Sequence, residues 1–431
     1  MKIKKIKFEN FRLFENLEVN FPDSNFIVLI GNNGAGKTSI LDGIATCLTH
    51  FTGEMMSKKE GYSIDHWFID SDVTNGKEKG LVNCSFEINS DNLSISVTKD
   101  TNEAGLSFDK EPKGFINAFK ATKENKRIPI ISYQHINRSN GDVSKTSEKS
   151  NIIKIYDPVT QAYTRALSKS SIPMHDNYDW FLQQVRMEND YKVEQNSLAV
   201  TLPSLDIVRK ALKIFTSELM LNISDFKVHK KKNLYPDFRE EIEEHLAFNI
   251  DDKQILYNQL SSGQRMILSM VMSIARNLIV VNENSEDALN GEGIVLIDEL
   301  ELHLHPNWQL KIVKALKATF PKVQFIATTH SPLVLSGMRR DDILVLDQGE
   351  IIPSEEIPDI YSSSSDQILE EIMFADNKID KFYNEKKEID ILFNKMDFET
   401  AEHKLKELKE KIGASPKWLK DYERRISFAK A

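Results

Sequence analysis

The sequence predicts an α/β fold: a mainly parallel sheet flanked by helices, with an antiparallel β lobe, a helical insertion and a charged helical tail. Three observations predict it. The glycine-rich loop GNNGAGKTSI, Gly31 to Ile40, lies between a short apolar run, FIVLI, and a segment whose apolar residues recur at helical spacing. From GIVLIDE onward strand-like and helix-like segments alternate, the pattern of parallel strands joined by helical crossovers. The opening instead alternates apolar and polar residues with a period of two.

Taken in order, MKIKKIKFENF, LEVNF and the buried run FIVLI place a small antiparallel lobe ahead of the loop. After the loop, Ile40, Leu41, Ile44, Cys47, Leu48 and Phe51 mark one face of a helix. LVNCSFEI and LSISVTK, separated by NSDN, predict a hairpin added to the lobe, and KRIPIISY a further buried strand. Between Gln134 and Tyr257 the character changes. DWFLQQVRMEND, SLDIVRKALKIFTSELML and FREEIEEHLAF predict amphipathic helices, and NRSNGDVSKTSEKSN a loop. No sustained heptad repeat predicts a long coiled-coil arm. GIVLIDE, NWQLKIVKALKATF and KVQFIATTH read as strand, helix and strand, before a hairpin at DDILVLDQGEII. The predicted organisation is 1–133 for an N-terminal lobe, 134–258 for the helical insertion, 259–355 for a C-terminal lobe and 356–431 for the tail.

Composition bounds the rest. A chain of 431 residues with 40% hydrophobic content has room for two to three domains and a sizeable core. The net charge of −9 argues against a protein coated in nucleic acid, although KVHKKK, Lys227 to Lys232, is a local basic run. The two cysteines, Cys47 and Cys84, lack metal-pair spacing and fit a reducing cytoplasm. The opening lacks the apolar centre of a signal peptide, and apolar runs fall short of a membrane span.

The loop satisfies G-x-x-x-x-G-K-[ST] through Gly31, Gly36, Lys37 and Thr38. Between a strand and a helix such a loop cradles phosphate, because successive backbone N–H groups converge and the helix N-terminus faces the anion. Asn32, Asn33, Gly34, Ala35, Gly36, Lys37, Thr38 and Ser39 are therefore candidate nucleotide contacts, with Lys37 on the terminal phosphates and Thr38 on Mg²⁺. In LSSGQ, Ser261 and Gly263 can present a hydroxyl and a bare N–H to an anion, and Gln264 follows them. GIVLIDE ends a strand on Asp298, suited to Mg²⁺, and Glu299, suited to orienting or deprotonating water. His330 ends KVQFIATTH, where it could donate to a γ-phosphate; a lone histidine is more often structural.

The order of these elements resembles the ABC-type ATPase superfamily. GNNGAGKT looks like its Walker A, LSSGQ like its signature, IVLIDE like its Walker B and TTH like its switch histidine. Ser262 replaces the first glycine of the usual L-S-G-G-Q, while Ser261 and Gly263 keep the phosphate-facing places. The resemblance implies a homodimer in which the signature of one chain closes on ATP and Mg²⁺ held by the other. The opening KIKFENFRLFENLEVNF and the run ELELHLHP are similar to the RecF, SMC and OLD group of DNA-associated ATPases. That likeness implies a phosphate contact for Arg12 and a Q-loop role, at nucleotide and metal, for Gln134, with Asn137 and Arg138 as loop contacts. His303 and His305 suggest metal at first sight, but with Pro306 they fit the group's D-loop region. Asp70 and Asp72 form the D-x-D of this chain, upstream rather than after His330, so no TOPRIM nuclease site is expected. A head without arms, with a charged helical tail, looks like the ATPase subunits of Septu-type and retron-associated anti-phage systems. That implies a cytoplasmic regulatory ATPase, a separate HNH-type nuclease partner, possible DNA contact and no membrane. A DNA-repair ATPase is the alternative reading, a transporter subunit or a stand-alone nuclease the more remote ones.

Overall fold

The computed structural model describes residues 1–55, 68–88, 91–103, 105–108, 128–135, 158–168, 173–234, 240–251, 253–282, 287–347, 349–354, 357, 383–394, 397–412, 422 and 424–426. The predicted loop at 137–151, including Asn137 and Arg138, lies outside them. The chain divides into two compact units, Met1–Met373 and Phe374–Ala431.

In the first unit β1 (Lys2–Phe11) turns back as β2 (Phe14–Asn20), and β3 (Phe26–Gly31) runs through the glycine-rich loop into α1 (Lys37–Met55). Next come β4 (Lys79–Ile88), β5 (Asp91–Asp100), β6 (Ser107–Phe108) and β7 (Ile130–Gln134). Helices α2 (Pro158–Tyr163), α3 (Pro173–Glu194) and α4 (Pro203–Glu218) precede strands β8 (Ile223–Leu234), β9 (Glu240–Ile250) and β10 (Lys253–Leu256). The chain returns through α5 (Ser262–Val281), β11 (Gly293–Ile297), α6 (Pro306–Gln309), α7 (Ile312–Thr319) and β12 (Val323–Thr328). Helix α8 (Pro332–Leu335) and strands β13 (Ile343–Asp347) and β14 (Glu350–Ile352) close this unit.

A six-stranded sheet in the order β14-β13-β3-β12-β11-β7 forms the centre, parallel except for the antiparallel edge strand β14. Every residue of β3, β11 and β12 is buried, because helices cover both faces of a parallel sheet; β3 and β11 read as continuous apolar runs, while β12 also carries Gln324, whose side chain bonds the Ile3 backbone. The second sheet, β2-β1-β4-β5-β6, is antiparallel, and β4 alternates buried and half-buried residues as one-sided packing requires. Helix α1 packs against strands of both sheets, burying the predicted face of Ile40, Leu41, Ile44, Cys47, Leu48 and Phe51. Helix α5 is long and apolar enough to cross a membrane by length and composition, but 83% of its apolar window is buried inside the protein; it is a core helix.

The central segment departs from the predicted helices in one place. FREEIEEHLAF is not helical over its described residues: it forms β9, paired antiparallel with β8 and β10 in a three-stranded sheet. Its glutamates favour a helix in isolation, yet Leu246, Phe248 and Ile250 alternate into the core, and cross-strand pairing overrides local propensity. The basic run of β8 is answered across this ladder, Lys230 facing Glu244 and Lys231 facing Glu243.

The second unit contains α9 (Tyr383–Asn394) and α10 (Phe398–Ile412), which bury Ile389, Ala401, Leu405 and Leu408 with Ile426. Arg425 lies 4.6 Å over the Phe393 ring.

Candidate nucleotide site

The loop after β3 is shaped by its glycines. Gly36 has φ +104°, and a Cβ there would lie 2.4 Å from the Phe14 ring, so no other residue fits without displacing the β1–β2 turn. The loop folds back on its own lysine: Lys37 Nζ donates to the carbonyl oxygens of Gly31 at 2.8 Å and Asn32 at 3.0 Å. Burial lowers the Lys37 pKa, opposed by the nearby carboxylates of Asp298, Glu301 and Glu299. A buried cation already converged on oxygen atoms is suited to phosphate oxygens.

Thr38 Oγ1 donates to both oxygens of the buried Asp298 carboxylate, at 3.2 and 3.3 Å. Asp298 Oδ1 also accepts from Thr328 Oγ1 at 2.7 Å, and Thr328 Oγ1 accepts from the Glu299 N–H at 2.8 Å. The parallel register places β11 between β12 and β7, so Asp298 leaves its strand between Thr328 and Gln134. Its N–H donates to the Gln134 carbonyl at 2.9 Å. Gln134 Nε2 donates to Ser132 at 2.7 Å, whereas its Oε1 is buried without a hydrogen-bond partner. An orphaned buried carbonyl oxygen costs free energy unless something binds it. Thr38, Asp298 and Gln134 are all oxygen donors, the set a hard cation such as Mg²⁺ takes, so these residues fit that ion.

Asn33, Gly34, Gly36, Lys37, Thr38, Ser39, Asp298, Glu299 and His330 line one cavity of about 330 Å³ with Leu13 and Thr328. Burial, then the Lys37 cation, lowers the His330 pKa, with Glu301, Glu299 and Asp298 pulling the other way. A neutral imidazole can still donate one N–H at neutral pH.

Seven predicted positions are not in the cavity lining: Arg12, Asn32, Ala35, Gln134, Ser261, Gly263 and Gln264. Ser261, Gly263 and Gln264 do not line the cavity but open α5. There Ser261 Oγ accepts from the Gln264 N–H at 3.2 Å and Gln264 Oε1 accepts from the Ser261 N–H at 3.0 Å, a reciprocal cap that occupies the glutamine side chain. A Cβ on Gly263 would lie 2.4 Å from the His303 carbonyl oxygen, which explains glycine at that point. Arg12 is held by carboxylates, Nε on Asp72 at 2.8 Å and a terminal nitrogen on Asp42 at 2.8 Å; its other terminal nitrogen reaches Ser39 Oγ at 3.3 Å. Asp72 is therefore an arginine partner, and Asp70 pairs with Lys99 at 2.7 Å. His305 Nδ1 accepts from the Asn307 N–H, and among the described residues neither it nor His303 joins a metal-binding group. Sequence reasoning missed Leu13, Thr328 and Asp42; only the threonine, the first residue of TTH, carried a signal.

A family profile described as an AAA ATPase domain matches residues 1–335. The chain belongs to that family. Its members are ATPases, and the loop, the acidic strand end and the histidine lie within the matched span of this AAA ATPase domain. The chain is similar to the retron Vc95 probable ATPase of Vibrio cholerae serotype O1 biovar El Tor, with 25% identity over 388 residues covering 81% of this chain and 74% of that one. It is also similar to the Septu protein PtuA of Bacillus mycoides (strain KBAB4), with 26% identity over 358 residues; the match covers 81% of this chain and 41% of PtuA. A solved Smc head bound to the C-winged helix domain of ScpA aligns with TM-score 0.45 and 13% identity, covering 82% of this chain and 97% of that one.

Proposed function

We propose that this ATPase is a regulatory subunit of an anti-phage defence complex, in which two copies close on ATP and thereby license a separate HNH-type nuclease. One observation carries the dimer: the cavity holds Lys37, Thr38, Asp298, Glu299 and His330, but Ser261 and Gly263, the second anion-binding element, open α5 outside it. A second copy could supply them across the open side. Similarity to a retron probable ATPase and to the Septu protein PtuA supports the defence role and the cytoplasmic setting.

In this reading the loop amides and Lys37 hold the β- and γ-phosphates. Thr38, Asp298 and Gln134 would hold Mg²⁺, which offsets phosphate charge beside the carboxylates of Asp298 and Glu299. Glu299 orients water and accepts its proton, and His330 donates to the γ-phosphate. Arg12, held by Asp42 and Asp72, donates with its remaining nitrogen to Ser39 on the cavity wall, and bears on the nucleotide through that hydroxyl.

Pull-down of the native protein tests the assignment. Recovery of a nuclease whose cutting depends on ATP supports it. Robust plasmid cleavage by the chain alone, or hydrolysis stimulated by duplex DNA without any nuclease partner, contradicts it.

A further inference from the structure

The motifs leave one carboxylate in ELELHLHP without a role. Glu301 is engaged at both oxygens by the segment that carries His330: Oε1 accepts from the His330 backbone N–H at 2.6 Å and Oε2 from the Thr329 hydroxyl at 2.6 Å. Thr329 is fully buried, and its Oγ1 accepts in turn from the Ser331 N–H at 3.1 Å. Ser331 Oγ donates to Gln309 Oε1 at 2.6 Å, tying the same turn to α6. The paired register of β11 and β12 ends at Ile297 and Ala327; one backbone bond follows, from the Leu300 N–H to the Thr328 carbonyl at 2.9 Å, and the Glu301 carboxylate adds two contacts beyond it. It joins the exit of one strand, which bears Glu299, to the exit of the other, which bears His330.

The segment is also constrained on its far side. Glu299 and His303 adopt left-handed backbone conformations, with φ of 49° and 61°, and the His303 carbonyl abuts Gly263 at the head of α5. Glu301 therefore sits on a short, conformationally costly loop whose ends touch the cavity and the α5 N-terminus.

We propose that Glu301 is a positioning residue for ATP hydrolysis, its carboxylate fixing the Thr329–His330 backbone so that His330 stays on the wall of the cavity that Lys37 and Glu299 also line. A carboxylate suits the task because it accepts at both oxygens, and charge-assisted bonds are short and directional. Glutamine can reproduce the geometry: its oxygen accepts from the His330 N–H, and its amide donates to Thr329 Oγ1 once that hydroxyl turns. Alanine supplies neither contact. This inference rests on the cavity being the hydrolysis site.

Steady-state ATP hydrolysis by the full chain tests it, with Lys37→Ala and Glu299→Gln as controls. Glu301→Ala should lower kcat by about 10- to 100-fold, the scale of a misplaced catalytic group, with KM for ATP within about twofold. Glu301→Gln should recover most of that loss. Thr329→Val, which removes one of the two contacts, should fall between alanine and the unaltered chain, and provides the readout if Glu301→Ala does not fold. Residues acting as a unit are not additive, so Glu301→Ala combined with His330→Ala should be no slower than His330→Ala alone. Losses that multiply in the double variant, or a raised KM with unchanged kcat, overturn the proposal. If the controls lose hydrolysis while Glu301→Ala and Thr329→Val keep it, this inference alone fails. If the controls keep it, the site assignment fails as well.

Discussion

Thr38 and Asp298 meet across the head of the glycine-rich loop, the hydroxyl donating to both carboxylate oxygens at 3.2 and 3.3 Å. They are 260 positions apart in sequence, and the contact exists because β3 and β11 flank β12 in one parallel sheet. Threonine and aspartate so placed can share a divalent cation without moving the backbone.

Lys37→Ala removes the cation that now satisfies two loop carbonyls. Charge-assisted bonds to phosphate are worth roughly 1.5–3 kcal/mol each, so ATP affinity should fall by at least about tenfold. Titration with a fluorescent ATP analogue measures it, and unchanged binding removes Lys37 from the site.

Glu299→Gln keeps the size of the side chain but not its basicity. Hydrolysis should slow by roughly 100- to 10,000-fold, the range for a positioned acid–base group, while ATP binding persists. Single-turnover hydrolysis separates the two; equal losses in binding and turnover would point to a structural role.

Ser261→Arg places a bulky cation at the exposed start of α5, where the native side chain caps the helix. ATP should bind each copy as before, with loss of the cap alone costing about 1 kcal/mol of stability. ATP-induced association, followed by light scattering, should disappear. Association at unaltered strength would detach this element from the dimer.

Glu188 gives the fold a pH-dependent element away from the nucleotide. Burial works to raise its pKa, but hydrogen bonds from Arg209, Lys192 and the Leu202 N–H outweigh it and hold the group at about 2, below its ordinary 4.5. A depressed acid stabilises the fold fully above its unfolded value and loses that contribution as pH falls from about 4.5 toward 2. Urea midpoints should therefore drop across that interval. Glu188→Gln, which leaves Arg209 with Asp225 and Asp206, should cost about 1–3 kcal/mol at pH 7 and flatten the pH dependence. A variant with the same acid slope as the original would contradict this.

Much of the fold was legible because burial on both faces leaves a plain mark: FIVLI and IVLI are unbroken apolar runs, VQFIAT is mostly apolar, and the P-loop lies between a strand and a helix. FREEIEEHLAF was not, since its glutamates carry helical propensity while strand pairing with β8 and β10 decides its state. Arg12 was read toward phosphate, but its carboxylate partners lie 30 and 60 positions downstream, and only the folded lobe brings Asp42 and Asp72 to it. Glu301 was invisible for a similar reason. Its meaning depends on which strand neighbours β11, and sheet order is not written in any local pattern.

Mixing two inactive variants shows whether each site is assembled from two chains. One copy with Lys37→Ala retains its α5 N-terminus, and one with Ser261→Arg retains its loop; together they form one whole site per mixed pair. The account predicts that the mixture hydrolyses ATP although neither variant does so alone. A mixture no more active than the sum of its two components, with mixed pairs present by mass measurement, would contradict it.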